Sequence, residues 1–388
     1  MKMQHFRAIE WCIFGKNPAL SLVAVVVLFL SGGAIAVAEG YFWQRMVVET
    51  DGNVGAYASL AVRGDTPCIA YADGTHDTIK YACRVGSSWQ IETAGSTSYG
   101  GQAISLALDS AGRPHITHYE YSLQHLYYDG SAWQSERVDF YGGAYGEYNS
   151  LAIDSADHPH VAYTKTGTNV TLLKYAYYDG SAWHKETVDG LGDEDAGSFV
   201  SLALDADDHP HISYQDVTNY NLRYAYHDGS AWHITVVDPG TETGYFTSIA
   251  VDSAGHPHIA YYDHGESKVR YASYDGSAWH IETVESFLWA QYISLALDSG
   301  DHPHIAYYGE ICLFDCEEVL RHIYYDGTEW QREAVENSEM QHVSLAVDAQ
   351  DRLHIAYYNP VSDDLWYAYG ASTATLTNRI YLPLVMRH

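Results

Sequence analysis

The residues best equipped for chemistry in this chain come in sets, one member per sequence repeat. His115, His160, His211, His258, His304 and His354 form the first set, with Cys68 in the remaining place. Four of these histidines close a His-Pro-His triplet, and residues two apart on a strand share a face, as a His-x-His metal site requires. One such face per repeat scatters the ligands around the molecule, too far apart to share an ion, so no metal is expected. A second set, Asp109, Asp154, Asp205, Asp252, Asp298 and Asp348, ends a strand just ahead of each histidine. An Asp opening a turn accepts backbone N–H bonds, which accounts for the set without calcium. The third set is paired. Lys80, Lys174, Arg223, Arg270 and Arg321 stand nine residues before a tryptophan, and Glu92, Glu136, Glu186, Glu282 and Glu333 stand three after one. A three-residue turn between them would set acid against base as cross-strand ion pairs. Carboxylates are abundant enough for a two-acid glycosidase, but no pair departs from the repeat background. No catalytic residue and no cofactor is assigned.

Cysteine chemistry is confined to two pairs once Cys12, in the leader described below, is set aside. Cys68 and Cys83 flank a hairpin with its tip near Thr75 and His76, which places them opposite each other in an antiparallel pair and predicts a disulfide. Cys312 and Cys316 lie in one loop and are expected to close it locally; a C-x3-C metal site is the alternative.

The elements that must position these sets are repeated strands. A Ser-Leu-Ala-Leu-Asp type strand begins at Ser59, Ser105, Ser150, Ser201, Ser248, Ser294 and Ser344, at intervals of 45 to 51 residues, the size of a four-stranded propeller blade. The fifth unit shows four strands, a to d: Thr247–Asp252, His258–Tyr262, Val269–Tyr274 and Trp279–Val284. A Ser-Ala-Gly-His-Pro cluster turns a into b, and Asp275-Gly276 turns c into d. No segment after the leader carries a helical apolar period. The seventh unit stops after strand c at Trp366–Tyr369, while Trp43–Thr50 precedes Ser59 by the spacing proper to a strand d. The fold class is therefore all-β: a seven-bladed β-propeller of four-stranded blades, closed by an N-terminal strand that completes the last blade and leaves no sheet edge exposed there.

Residues 1–38 read as a signal peptide, with Lys2, Arg7 and Lys16 ahead of an apolar run from Ala19 to Leu30 and a small-x-small site at Ala36-Val37-Ala38. Leu20–Ala38 is nearly long enough to serve instead as an uncleaved anchor. Either way the propeller, 39–371, is expected outside the cytoplasm, secreted or at the cell surface. A C-terminal tail, 372–388, follows and is too short for a membrane span. The formal charge is −30, and −32 without the leader. Such a field repels nucleic acid, anionic lipid and uronic or sulfated polymers, and suits neutral ligands, cations or basic partners.

The Leu-Asp-Ser-Ala-Gly-x-Pro-His-Ile turn resembles those of propellers with NHL and sialidase-like (BNR-like) repeats, from Trp43 to about Tyr369. The run Tyr-Tyr … Leu … Asp-Gly-x-x-Trp is similar in texture to fucose-binding lectin propellers, a family that holds its sugar between blades with Arg, Glu and an aromatic. The tail is similar to terminal tags of exported bacterial proteins. In such a propeller the d–a and b–c loops share one face. Here those loops vary, with the b–c loop of blade 2 short and that of blade 6, Gly309 to Glu318, long. The a–b and c–d turns are short and nearly uniform. A rigid scaffold with variable loops on one side is how binding sites are mounted. Tyr57, Tyr148, Phe199, Phe246 and Tyr292 share a register two residues before the repeated serine and are assigned to packing. Tyr99, Tyr141, Tyr145, Tyr245, Phe287 and Trp289 fall outside it and are the candidate ligand-binding residues, since flat rings offer large contact area at low entropy cost.

The reading that follows is a monomeric, non-catalytic binding propeller with a neutral glycan or a protein as partner. An extracellular glycan-degrading enzyme, a sialidase-like hydrolase or polysaccharide lyase, is the alternative, and a protein-interaction scaffold the third. Against the hydrolase, the Asp-Gly-Ser-Ala-Trp turn is one residue short of an Asp-box at both spacings, and no Arg-Ile-Pro string occurs. A lyase for uronic polymers needs a basic cleft, which the net charge opposes.

Overall fold

The computed structural model describes residues 40–97, 101–140, 148–167, 170–191, 195–286, 288–312 and 316–372. The proposed signal peptide lies outside them, as does the proposed C-terminal tail apart from Ser372, which ends the last strand. The described residues form twenty-eight strands, β1 (Tyr41–Glu49) to β28 (Asp364–Ser372), in seven four-stranded antiparallel sheets. Blade 1 runs β2 (Val54–Arg63), β3 (Thr66–Asp73), β4 (Thr78–Val85) and β5 (Ser88–Ser96), in that order from the axis outwards, and blades 2 to 6 repeat it. The last sheet is completed from the other end of the chain: β1 pairs antiparallel with β28, Trp43 facing Gly370 and Val47 facing Trp366. Gly370 allows this closure, because a Cβ there would lie 2.9 Å from the Trp43 ring.

The repeated serine has a specific task. Each Ser Oγ accepts the backbone N–H of the residue that follows the equivalent serine one blade on, as in Leu106 to Ser59 at 2.9 Å and Ile249 to Ser201 at 3.2 Å. The belt closes through Leu345 to Ser294 and Leu60 to Ser344 and includes all seven blades. It ties the innermost strands to one another where the narrowing ring leaves no room for a sheet ladder. Between blades, the buried faces interdigitate around rings such as Tyr71, Tyr163, Tyr214, Tyr261, Tyr307 and Tyr357, all fully buried. Burial of one such side chain contributes about 1.5–3 kcal/mol.

The a–b turns hold a left-handed residue, either Gly112 and Gly255 or Asp157, Asp208, Asp301 and Asp351. Where it is Asp, the side chain reaches back to the previous blade: Ser110 N and Oγ donate to Asp157 at 2.7 Å each, and Ser299 does the same to Asp351. The face bearing the a–b and c–d turns is thereby clamped, uniform and occupied with its own hydrogen bonds.

Two sequence expectations are corrected. The c–d turns of blades 2 to 6 enclose four residues and that of blade 1 two, not three: Tyr178 faces Trp183, so Lys174 opposes Thr187 while Glu186 opposes Tyr175. The basic and acidic sets therefore do not form cross-strand ion pairs. Instead four of the five glutamates accept the indole N–H of the next blade's tryptophan, as in Glu136 from Trp183 at 2.9 Å, Glu186 from Trp232 at 2.8 Å and Glu282 from Trp330 at 3.0 Å, whereas the Trp133 indole next to blade 1 has no hydrogen-bond partner among the described residues. Glu333 binds Trp43 in the same way at 3.3 Å, so this staple also crosses the closure. Second, much of the stretch Gly309 to Glu318 is hairpin rather than loop, since β23 (Pro303–Cys312) and β24 (Cys316–Tyr325) extend past their counterparts.

Candidate functional site

The histidine set is assembled within blades. His354 sits between Asp348, 3.0 Å from its Nε2, and the Tyr367 hydroxyl, 2.6 Å from its Nδ1. His211 has the same arrangement with Asp205 and Tyr224, and in blades 2 and 6 a second histidine replaces the tyrosine: His115 to His125 at 3.0 Å and His304 to His322 at 3.1 Å. The aspartates also accept turn N–H groups, such as His158 N to Asp154 at 2.7 Å. Among the described residues no group of three or more His, Cys, Asp or Glu is arranged to hold a metal ion. Cys68 and Cys83 face each other across the hairpin and are disulfide-bonded. Cys312 and Cys316 are register partners across the extended hairpin of blade 6.

Between blades most of the basic set finds its true partners, whereas Lys174 donates to Thr187 of its own blade at 2.8 Å. Tyr214 donates to Asp189, and Arg223 binds the same carboxylate at 3.0 Å. Equivalent trios are Asp238, Tyr261 and Arg270, and Glu285, Tyr307 and Arg321. Burial and the adjacent carboxylate push the Tyr214 hydroxyl far up, so it remains a donor. The junction of blades 1 and 2 breaks this pattern at every place: Gly95 stands for the acid, His118 for the tyrosine and Gln124 for the base. His118 is 2% exposed, its Nδ1 has no hydrogen-bond partner, and burial lowers its pKa to about 4, which keeps it neutral.

The variable face carries a feature that the packing assignment did not anticipate. Strand a of most blades is bulged just before the belt serine, and the bulged residue has left-handed backbone: Tyr57, Ala103, Phe199, Phe246, Tyr292 and His342, with φ between 49° and 56°. That conformation costs about 1–2 kcal/mol for a residue with a Cβ and is rare for a bulky ring. A bulge re-aims its side chain, here into contact with the same position in the neighbouring blade. Ring centroids run from Tyr148 to Phe199 at 4.7 Å, to Phe246 at 4.7 Å, to Tyr292 at 5.9 Å, to His342 at 4.8 Å and to Tyr57 at 4.4 Å. Six of the seven blades thus contribute one ring to an aromatic collar on the variable face, interrupted only at Ala103. At the gap Thr117 donates to Asn149 Oδ1 at 2.6 Å and the Asn149 amide donates to the Ala103 carbonyl.

Of the candidate ligand-binding residues, Tyr99, Tyr141, Tyr145 and Phe287 lie outside the described residues. Tyr245 is half-buried and lies tilted against Phe199 of the collar at 5.3 Å. Trp289 is 40% exposed and meets the Tyr308 ring edge-on at 6.2 Å. On the same rim, an open hollow of about 490 Å³ is lined by Glu310, Glu317, Glu318, Cys316, Asn337 and Ser338. The sequence signal for the collar was present, one aromatic per repeat at constant offset from the serine. Its left-handed backbone, which turns the rings towards each other, was not.

The fold is thus that of an all-β seven-bladed propeller, with one clamped face and one variable face crowned by aromatic rings. No family model and no curated protein matches the chain. Among solved structures, a polysaccharide lyase of family PL25, an ulvan lyase, aligns with a TM-score of 0.56 at 14% identity, over 87% of this chain and 100% of that one. A protein of unknown function from Dyadobacter fermentans aligns with a TM-score of 0.53 at 10% identity, covering 86% and 98%. The Aleuria aurantia lectin in complex with Fucalpha1-6GlcNAc gives 0.48 at 16% identity, covering 72% and 96%. At these identities the likeness is one of fold.

Proposed function

We propose that this chain is an exported, non-catalytic propeller that recognises a glycan on the face bearing the d–a and b–c loops. The observation that carries the reading is the aromatic collar. Six rings, five of them on strained left-handed backbone, meet one another on that face, and strain of this kind is retained where surrounding structure over-determines it for a task. Sugar rings present apolar faces of matching size, and Tyr245 and Trp289 extend the aromatic surface beyond the collar. The opposite face spends its polar groups on turns and blade-to-blade clamps. Export is supported by the leader-like residues 1–38 and by the Cys68–Cys83 disulfide, a bond that persists in oxidising compartments.

The test is a glycan array probed with the chain from residue 39 onward, followed by chromatography of any bound glycan after incubation. Binding without product release is the expected result. Release of shortened or unsaturated sugars would shift the reading to degradation, the activity class of the ulvan lyase with the same fold. Failure to bind any glycan, with recovery of a specific protein in pull-down, would replace it with a scaffold role.

A further inference from the structure

The loops around the collar have a one-sided composition. The fourteen segments that join d to a and b to c, from 50–53 to 360–363, contain no lysine or arginine. In the described parts they carry Asp51, Asp195, Glu242 and Glu339 between d and a, and Asp77, Glu120, Glu266 and Asp363 between b and c. Cations flank these loops in the strands: Lys165 is paired with Asp139 at 3.1 Å, while Lys268 and Arg270 pair with the rim's own Glu266. Two of the rim carboxylates reach the aromatic surface itself. Glu339 helps raise the pKa of Tyr292, after burial and Tyr57, and Glu242 helps raise that of Tyr245, after burial. Beside Tyr245, His264 pairs with Glu242 at 2.9 Å, its ring 5.5 Å from that of Tyr245. Within the collar, the His342 imidazole lies tilted against Tyr57, Tyr292 and Tyr358, with ring centroids 4.4, 4.8 and 6.3 Å away. Burial holds its pKa down at about 4, so it adds no positive charge to the collar.

A collar of mutually tilted aromatic rings bordered by loops that carry carboxylates but no lysine or arginine is the complement of an organic cation. The quadrupole of each ring attracts an ammonium group that approaches its face, and the surrounding carboxylates add attraction that salt weakens. We infer that the glycan recognised at this face bears free amines: the collar of Tyr148, Phe199, Phe246, Tyr292, His342 and Tyr57 takes a protonated amino sugar, with the acidic loops drawing the rest of the cationic chain across the face. The inference rests on the glycan reading above and deepens it. It also separates this chain from its lyase neighbour, whose bound ligand, -[GlcA(1-4)Rha3S]-, is anionic.

The test compares matched oligomers of glucosamine and of N-acetylglucosamine by calorimetry in mildly acidic buffer, where the amines are protonated. The glucosamine oligomer should bind at least tenfold tighter, with affinity that falls as salt is added. Phe199→Leu and Phe246→Leu, which keep apolar volume but remove the ring, should each weaken binding of the glucosamine oligomer at least tenfold; Phe199→Tyr should retain it. Circular dichroism and gel filtration establish that the variants fold. Equal affinity for the two oligomers, or no salt dependence, overturns the cationic inference and leaves glycan recognition standing. Binding of oligolysine with no glycan bound on the array overturns both.

Discussion

Substitution of Arg321 by methionine tests how the blades are held together. Its guanidinium lies 3.1 Å and 3.3 Å from the two oxygens of Glu285, which also accept the Tyr307 hydroxyl, and only 9% of the Glu285 side chain is exposed. Arg321→Met removes the cation and leaves a nearly buried carboxylate with a neutral donor alone. Stranding a buried charge in this way costs 3–5 kcal/mol, and the 20% exposure of the Arg321 side chain puts the expected loss near the lower bound, about 3 kcal/mol. The chain contains its own control in the junction of blades 1 and 2, which does without acid, tyrosine and base. Copying that junction with Glu285→Gly, Tyr307→His and Arg321→Gln together removes the charge along with its partner. The triple variant should therefore lose about 2 kcal/mol less than the sum of the three single variants. Equilibrium unfolding in urea at neutral pH measures both quantities. A cost below about 1 kcal/mol for Arg321→Met, typical of an exposed pair, would refute the reasoning, as would strict additivity in the triple variant.

Other consequences are more direct. Ser201→Ala leaves the Ile249 N–H without its acceptor in the serine belt and should cost about 1–3 kcal/mol in chemical denaturation, with Ser201→Thr the milder change. Reduction of Cys68–Cys83, which bridges a separation of 15 residues, should lower stability by about 3 kcal/mol; an unchanged denaturation midpoint in reductant would count against a structural role. His115, His118, His322 and His342 are all held neutral by burial, with pKa values near 4 against an unfolded value of 6.5. Their folded pKa lies below the unfolded one, so the unfolded chain takes up protons first as pH falls. Stability should be at its full value above pH 6.5 and decline down to about 4, by at most about 1.4 kcal/mol per pH unit for each histidine. A flat stability profile through that window would contradict the assignment.

The sequence by itself determined the number of blades, the closing strand and the Cys68–Cys83 pair. These depend on strand alternation, turn chemistry and spacing, all local in the chain. The N-terminal strand could be placed because one incomplete repeat and one surplus strand have a single joint solution. Tertiary structure alone decided which partner each polar side chain takes. Lys174 and Glu186 show why: one extra residue in the turn shifts the pairing by one, and since neighbours on a strand point to opposite faces, Glu186 turns away from its own blade's lysine towards Trp232. The collar was hidden for a related reason. Phe199 and Phe246 are poor candidates for left-handed backbone by residue type, and only the bulge beside the serine belt, formed when seven strands converge on one axis, holds them there.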